Sequence, residues 1–247
     1  MYIIYSIIMD TKALNKSYKL NYIILIIIFF LASFRHPFDE FPTYYVTPII
    51  SFLQIYSPII IGCLMTISLI NIYIHNNKKT SPQFLLISLS IFYIFVILFG
   101  GQELIMRIGF TLLLLFYFTK ISQNLIFYKQ NDWDIIKCVG LGIFLFCLTN
   151  LYLYIFLNNS VVWQGRLFGA TPHPNFLGVA SAIGFIISFF LFIKVSDSFF
   201  YKLIYLSMSL ICFYICFISG SRTGFFSALI SLFCLFFYSI KNIQIRI

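Results

Sequence analysis

Two short segments carry the side chains of this sequence whose types and spacing could do chemistry. Segment 165–175 reads GRLFGATPHPN and contains Arg166, and segment 219–224 reads SGSRTG and contains Arg222. A guanidinium is planar, permanently charged and shaped to form paired hydrogen bonds with phosphate or carboxylate groups. The two arginines are therefore the main candidates for binding an anion.

The placement of both arginines favours an anion site over a purely structural role. Arg222 opens a predicted helix, whose exposed N–H groups already form a partly positive end, so a cation is unfavourable there unless an anion joins it. In the other segment, two glycines permit close backbone approach and two prolines favour an extended backbone. Asn175 is then predicted to cap the next helix, so that Arg166 and His173 share one surface. His173 and Asn175 are secondary candidates; an ordinary re-entry turn, with His173 as a polar contact, is the alternative.

Arg35 and Arg107 are further secondary candidates, and each has a structural explanation. Arg35 follows the end of a predicted helix, where a cation complements the carbonyl end and can extend to the membrane surface. Arg107 follows Glu103 by four residues, which is a favourable ion pair on a helix. The six cysteines lie in apolar runs without a CxxC motif, so they are predicted to pack rather than to bind metal. The sequence predicts no metal and no cofactor.

The composition dictates which elements position these residues. The chain has 247 residues, of which 61% are hydrophobic and 9% charged, whereas soluble domains are about 45–50% apolar and about 25% charged. This excludes a soluble enzyme, a nucleic-acid-binding protein and a disordered scaffold. A spanning helix needs about 17–25 apolar residues. On this criterion the fold class is predicted as all-α, a polytopic integral membrane protein with about eight transmembrane helices. These helices form a single transmembrane domain, 1–247. The predicted spans are 18–34, 49–74, 84–99, 104–119, 135–157, 176–195, 201–218 and 223–240.

The charges predict the orientation of these helices. All lysines, together with Arg246, lie in the termini and in the connections after the second, fourth and sixth spans. The other connections contain only arginine as a basic residue, and by the positive-inside rule they face outward. Both termini are therefore predicted to be cytoplasmic. Residues 1–9 lack the basic region and cleavage site of a secretory signal, and Met9 is the expected start of the chain.

The two arginine segments resemble those of the O-antigen ligase and O-antigen polymerase superfamily in order, spacing and outer placement. The resemblance implies a bacterial inner-membrane enzyme that transfers or polymerises O-antigen, capsule or another surface polysaccharide on the outer face. It implies a glycan on undecaprenyl pyrophosphate as donor and a glycan or lipid A–core as acceptor, with no metal. Arg166 and Arg222 match by position the arginines with which the family holds the pyrophosphate.

The resemblance leaves the catalytic base without a candidate. Family members usually have further helices and a late outer loop with a histidine proposed to activate the acceptor, so we expect this chain to be a C-terminally truncated member. The alternatives are that a partner chain supplies the missing part or that another base substitutes for the histidine. The alternative function is a lipid-linked glycan flippase or exporter without catalysis. Coupled transporters usually keep ionisable groups at mid-membrane, and the predicted spans have none there. A subunit that only scaffolds other enzymes is a third possibility.

Overall fold

The apolar runs fold as helices in the part of the chain that the structure describes. A computed structural model of the protein describes residues 16–34, 48–75, 133–157, 161–171, 173–194 and 199–244. Its helices are α1 (Lys16–Ala32), α2 (Pro48–His75), α3 (Trp133–Phe156), α4 (Pro174–Lys194), α5 (Phe199–Ile218) and α6 (Arg222–Gln244). Between α3 and α4 lie two short strands, β1 (Val162–Trp163) and β2 (Arg166–Leu167).

The observed helices confirm the helical fold class and part of the predicted membrane architecture. Each of the six helices falls on a predicted span, with ends that differ by a few residues. Three segments are long and apolar enough to cross a membrane, namely Asp134–Phe156, Pro174–Lys194 and Phe199–Ile218. In the other three helices, the described apolar stretch is 10–17 residues long. The predicted spans 84–99 and 104–119 lie outside the described residues.

The chain divides into two compact units, and the first contains α1 and most of α2. Polar side chains join these two helices. Asn21 Oδ1 accepts hydrogen bonds from Ser68 Oγ at 3.0 Å and from Asn71 Nδ2 at 3.1 Å. Side-chain hydrogen bonds of this kind hold helices together in an apolar environment, where close packing supplies the rest of the attraction.

The second unit contains most of α3, the two strands, α4, α5 and α6. Helix α4 packs against both α5 and α6, which contact each other much less. Gly184 brings α4 close to its neighbours, since a Cβ there would lie 2.9 Å from Ile143 Cγ2 of α3 and 3.0 Å from Cys212 Sγ of α5. Cys147 on α3 donates to Ser181 Oγ on α4 at 3.6 Å, and both are buried. Small side chains thus place α4 at the centre of this unit.

Strands β1 and β2 form a hairpin that carries Arg166. The pairing is antiparallel, with Trp163 opposite Arg166. Gln164 and Gly165 connect the strands and have positive φ values of 50° and 73°. Two successive residues with positive φ are typical of the type I′ turn, whose twist matches that of a hairpin. The segment expected to be an extended loop therefore begins as a hairpin, and Arg166 lies on a strand rather than in an irregular turn.

Candidate anion-binding site

Arg166 joins three elements of the second unit. From β2, its Nε donates to the carbonyl oxygen of Ser219, just after α5, at 3.1 Å. Its Nη2 donates to Oδ1 of Asn175, at the start of α4, at 2.8 Å. A guanidinium has five N–H donors, so these two bonds leave three without a hydrogen-bond partner among the described residues. Arg166 is only half-buried, and these donors are available to a ligand.

Gly220 permits the close approach of Arg166 to the turn between α5 and α6. Its φ is +61°, in the left-handed region that favours glycine. A Cβ at this position would lie 2.9 Å from Arg166 Nε and 3.2 Å from Arg166 Cγ. Two observations thus favour glycine at residue 220, the left-handed backbone conformation and the Arg166 side chain that lies across it.

The serines on either side of Gly220 build the turn and cap α6. Ser219 Oγ donates to the carbonyl oxygen of Cys216 at 2.7 Å and accepts from the Ser221 N–H at 3.3 Å. Ser221 Oγ accepts from the Gly224 N–H at 3.2 Å, the bond expected of an N-cap residue. Arg222 is therefore the first residue of α6, as predicted, and its side chain is exposed.

The start of α6 combines two sources of positive potential. As the first two residues of the helix, Arg222 and Thr223 have backbone N–H groups without an intrahelical acceptor, and no other described residue accepts from them. The helix dipole adds a partial positive charge at the same end. The Arg222 guanidinium therefore adds a full charge where the backbone is already positive. An anion bound there would be attracted both by the guanidinium and by the start of the helix.

The N-terminus of α4 differs from the prediction. The helix begins at Pro174, and the carbonyl oxygen of His173 accepts from the Phe176 N–H at 3.1 Å. His173 Nδ1 accepts from the Asn175 N–H at 3.1 Å, so His173 is the N-cap residue and Asn175 is not. The prediction that Asn175 caps this helix is wrong. Proline suits the first helical position, so the helix begins at Pro174 and the residue before it, His173, is the cap. The Asn175 side chain instead binds Arg166.

Glycines hold α4 and α6 together directly beneath the site. A Cβ on Gly224 would lie 2.6 Å from the carbonyl carbon and oxygen of Gly178, so the two backbones touch. A Cβ on Gly178 would overlap Ser221 and lie 2.7 Å from Ser219 Oγ. Sequence reasoning missed this contact, although isolated glycines in apolar helices are a known signal of close helix crossings.

No described acidic residue neutralises the arginines. Asp134 is the single acidic residue within the described ranges, and it pairs with Lys137 at 3.0 Å. Arg166 and Arg222 therefore have no carboxylate partner in the part of the chain that the structure describes. Within the same part, no group of His, Cys, Asp and Glu side chains is arranged to hold a metal ion.

An apolar cleft of about 210 Å³ opens beside Arg222. Its walls combine residues of the turn and the start of α6 with aromatic and sulfur-containing residues. It is lined by Cys216, Phe217, Gly220, Ser221, Arg222, Phe225 and Phe226. The cleft thus suits a ligand that has a charged group joined to an apolar chain.

The structure brings four of the predicted site residues to one end of the second unit. Arg166 contacts Asn175, His173 caps the helix on which Asn175 lies, and Arg222 belongs to the turn that Arg166 crosses. The secondary candidates Arg35 and Arg107 lie outside the described residues. Comparison of the chain with protein-family models, curated proteins and solved structures found no match.

Proposed function

We propose that the protein binds the diphosphate of an undecaprenyl-pyrophosphate-linked glycan at the turn between α5 and α6, and that it transfers or polymerises that glycan. One observation carries the proposal. Arg166 lies against Gly220 of the turn whose next helix begins with Arg222, and no described carboxylate compensates either charge. The proposed setting is the outer face of a bacterial inner membrane, in a chain of eight spans with both termini cytoplasmic.

The chemistry of the site suits a diphosphate better than a carboxylate. A diphosphate offers oxygens on two phosphorus atoms, enough to accept from the free donors of Arg166, from Arg222 and from the first N–H groups of α6. Arginine is favoured for phosphate because its donors match two oxygens at once. A helix N-terminus attracts the same group through its dipole and its free amides.

The position of the site at the end of apolar helices supports a lipid ligand. Helices α4 and α5 are long and apolar enough to span a membrane, and the cleft beside Arg222 is lined by residues of the turn together with phenylalanines. A polyprenyl diphosphate combines the same two kinds of group, a charged head and an apolar chain. A cleft of this volume accommodates only the first part of such a chain.

Glycan transfer would use the arginines as electrostatic stabilisers. The bond between the sugar anomeric carbon and the diphosphate oxygen breaks as the acceptor hydroxyl oxygen bonds to that carbon and releases its proton to water, and negative charge grows on the leaving diphosphate. Donors that are already oriented stabilise such charge without the cost of reorganising solvent. Arg166 is held at two nitrogen atoms before the ligand arrives, which is the arrangement this role requires.

Binding of undecaprenyl pyrophosphate to the purified protein in lipid nanodiscs tests the proposal. Each hydrogen bond to a charged group is worth about 1.5–3 kcal/mol, so Arg166→Ala and Arg222→Ala should each weaken binding about tenfold or more. Lys202→Ala removes a positive charge near the start of α5 and serves as the matched control, with unchanged affinity expected. Equal affinity of both arginine variants and the wild type would contradict the proposal.

A measurement of glycan transfer distinguishes the enzyme function from the alternative flippase function. Proteoliposomes that carry lipid-linked glycan on the face exposed to added acceptor should release undecaprenyl pyrophosphate and form a longer or newly joined glycan. A flippase that uses the same arginines would instead move the intact lipid-linked glycan between leaflets without releasing diphosphate. Movement without release would leave the binding site in place but refute the catalytic part of the proposal.

A further inference from the structure

A buried amide within α3 contacts the outer loop that carries Arg166. Asn150 is fully buried and lies in a segment long and apolar enough to span a membrane. Its Nδ2 donates to the carbonyl oxygen of Phe146, one turn earlier, at 2.8 Å. Its Oδ1 accepts from the backbone N–H of Ala170 at 2.7 Å. Both ends of the amide are therefore used, one within the helix and one toward the loop.

The loop is shaped to reach this amide. Gly169 has a φ of +59°, and a Cβ there would overlap Asn150 Oδ1, so only glycine allows the loop to approach so closely. The N–H groups of Phe168 and Gly169 both donate to the carbonyl oxygen of Val161, at 3.0 and 3.2 Å, which ties the end of the hairpin to its beginning. Ala170 is fully buried. The contact with Asn150 thus fixes a loop end that is only a few residues from Arg166.

We propose that Asn150 is a positioning residue that holds the Arg166 hairpin in the orientation needed to bind the diphosphate. This inference rests on the proposed function. An unpartnered amide inside an apolar helix costs several kcal/mol, so an asparagine without an essential partner is disfavoured there. The Phe146 carbonyl orients Nδ2, and Oδ1 is thereby directed at Ala170. The side chain transmits the position of the rigid helix to the loop without touching the ligand.

Two variants and one control test the proposal in the full-length protein. Asn150→Leu keeps the approximate volume but removes the acceptor. Gly169→Ala breaks the same contact from the loop side and leaves the helix sequence unchanged, which keeps the test valid if the first variant folds poorly. Thr149→Val is the matched control, because Thr149 Oγ1 also donates to a carbonyl one turn earlier, Leu145, at 3.0 Å. This control removes a bond of the same kind on the same helix without affecting the loop.

The first measurement is hydrogen exchange in peptides that cover residues 161–171. We expect Asn150→Leu and Gly169→Ala to increase exchange at the Ala170 amide about tenfold or more, as the loss of one buried hydrogen bond would, whereas Thr149→Val leaves it unchanged. Wild-type protection in both variants would overturn the proposal. This measurement does not depend on the proposed ligand, so its outcome is independent of a failure of the proposed function.

The second measurement is the affinity for inorganic pyrophosphate. Both variants should bind it about fivefold or more weakly than Thr149→Val, because a displaced Arg166 loses part of its contacts. Asn150→Asp adds a readout that packing alone would not change. Its protonated form can donate to Phe146 and accept from Ala170, whereas its ionised form repels the Phe146 carbonyl. Its affinity relative to the wild type should therefore fall as the pH rises, and a ratio that is constant with pH would count against the orientation role.

Discussion

Arg166 is held in place by the protein itself, and the proposed anion site depends on that property. Its hydrogen bonds to Ser219 and Asn175 fix the plane of the guanidinium from two sides. A free arginine side chain loses considerable rotamer freedom when it binds a ligand, and prior ordering lowers that cost. The two bonds use two different nitrogens of one planar guanidinium, whereas lysine has a single ammonium nitrogen on a flexible stem.

Substitution of Asn175 separates positioning from charge. Asn175→Ala removes the acceptor for Arg166 Nη2, and we expect pyrophosphate binding about two- to tenfold weaker, since the lost bond is solvent-exposed. Asn175→Asp keeps an acceptor and strengthens the contact with Arg166, yet its negative charge lies beside the anion. It should therefore bind pyrophosphate more weakly than Asn175→Ala does. Calorimetric titration measures both affinities, and the reverse order would show that Asn175 does not border the anion.

His173 is predicted to contribute stability rather than proton transfer. Its Nδ1 caps α4 by accepting from the Asn175 N–H, and loss of an N-cap side chain typically costs about 0.5–2 kcal/mol. His173→Ala should lower the midpoint of thermal unfolding, and His173→Asn should restore it, since asparagine is a strong N-cap residue.

Glycan transfer by the same two variants decides between the roles. A capping role predicts that His173→Asn transfers glycan at close to the wild-type rate. A catalytic role predicts that both variants are equally inactive, because asparagine cannot exchange a proton as histidine does. Full inactivity of a stable His173→Asn protein would therefore refute the capping interpretation.

At the scale of elements, α4 is the part on which the site is built. Its first turn supplies Asn175, and Gly178 follows one turn later against the α5–α6 turn. Helix α6 reaches the same place through Gly224, which contacts the α4 backbone. The geometry of two arginines on different elements therefore depends on how closely two helices cross.

Separation of α4 and α6 should disturb both stability and binding. Gly224→Ala places a methyl group where the Gly178 backbone lies, and overpacking of this kind costs about 1–3 kcal/mol. We expect a lower unfolding midpoint and weaker pyrophosphate binding, because the first turn of α6 moves away from Arg166. Ser227→Ala, on an exposed position of the same helix, is the control and should change neither quantity. Wild-type binding by Gly224→Ala would show that the crossing does not set the arginine geometry.

Hydropathy predicted the helices because long apolar runs leave few other ways to satisfy the backbone in a membrane. Six predicted spans coincide with described helices, and Arg222 is the first residue of α6 as expected. The finer features depend on contacts between residues distant in sequence, which hydropathy does not record. In the sequence, Asn150 is a neutral polar residue within a predicted span, and its partner Ala170 is 20 residues away. The local sequence around the hairpin lacks the Asn-Gly or Asp-Gly pair that marks such turns, and Arg166 and Leu167 are not strong strand formers.

At the scale of the whole molecule, the charges are sorted by type along the second unit. The turn that carries Arg222 lies beside the first residues of α4, whereas Lys194 ends α4 and Lys202 lies near the start of α5. Arginine thus lies at one end of this helix pair and lysine at the other. The predicted orientation, in which lysine faces the cytoplasm and the arginine turn faces outward, stays a prediction.

Reporter fusions test this orientation directly. Alkaline phosphatase fused after Gly165 should be active, because that enzyme folds only outside the cytoplasm, whereas green fluorescent protein fused after Lys194 should fluoresce. Exchanging the two reporters should silence both. Active phosphatase after Lys194 would invert the predicted topology and place the arginines on the cytoplasmic side, where the proposed glycan transfer does not occur.

The contact between Gly220 and Arg166 also constrains how this sequence can change over time. While Arg166 is present, any side chain at residue 220 collides with it. Once residue 166 has become small, asparagine becomes tolerable at 220, because it adopts the left-handed conformation more readily than other non-glycine residues. A lineage that takes these two steps cannot regain arginine at 166 in one substitution, because the asparagine side chain at 220 then occupies the space that the arginine side chain needs. Loss of Arg166 followed by a change at residue 220 is thus difficult to reverse. Related sequences should rarely combine arginine at 166 with any residue other than glycine at 220.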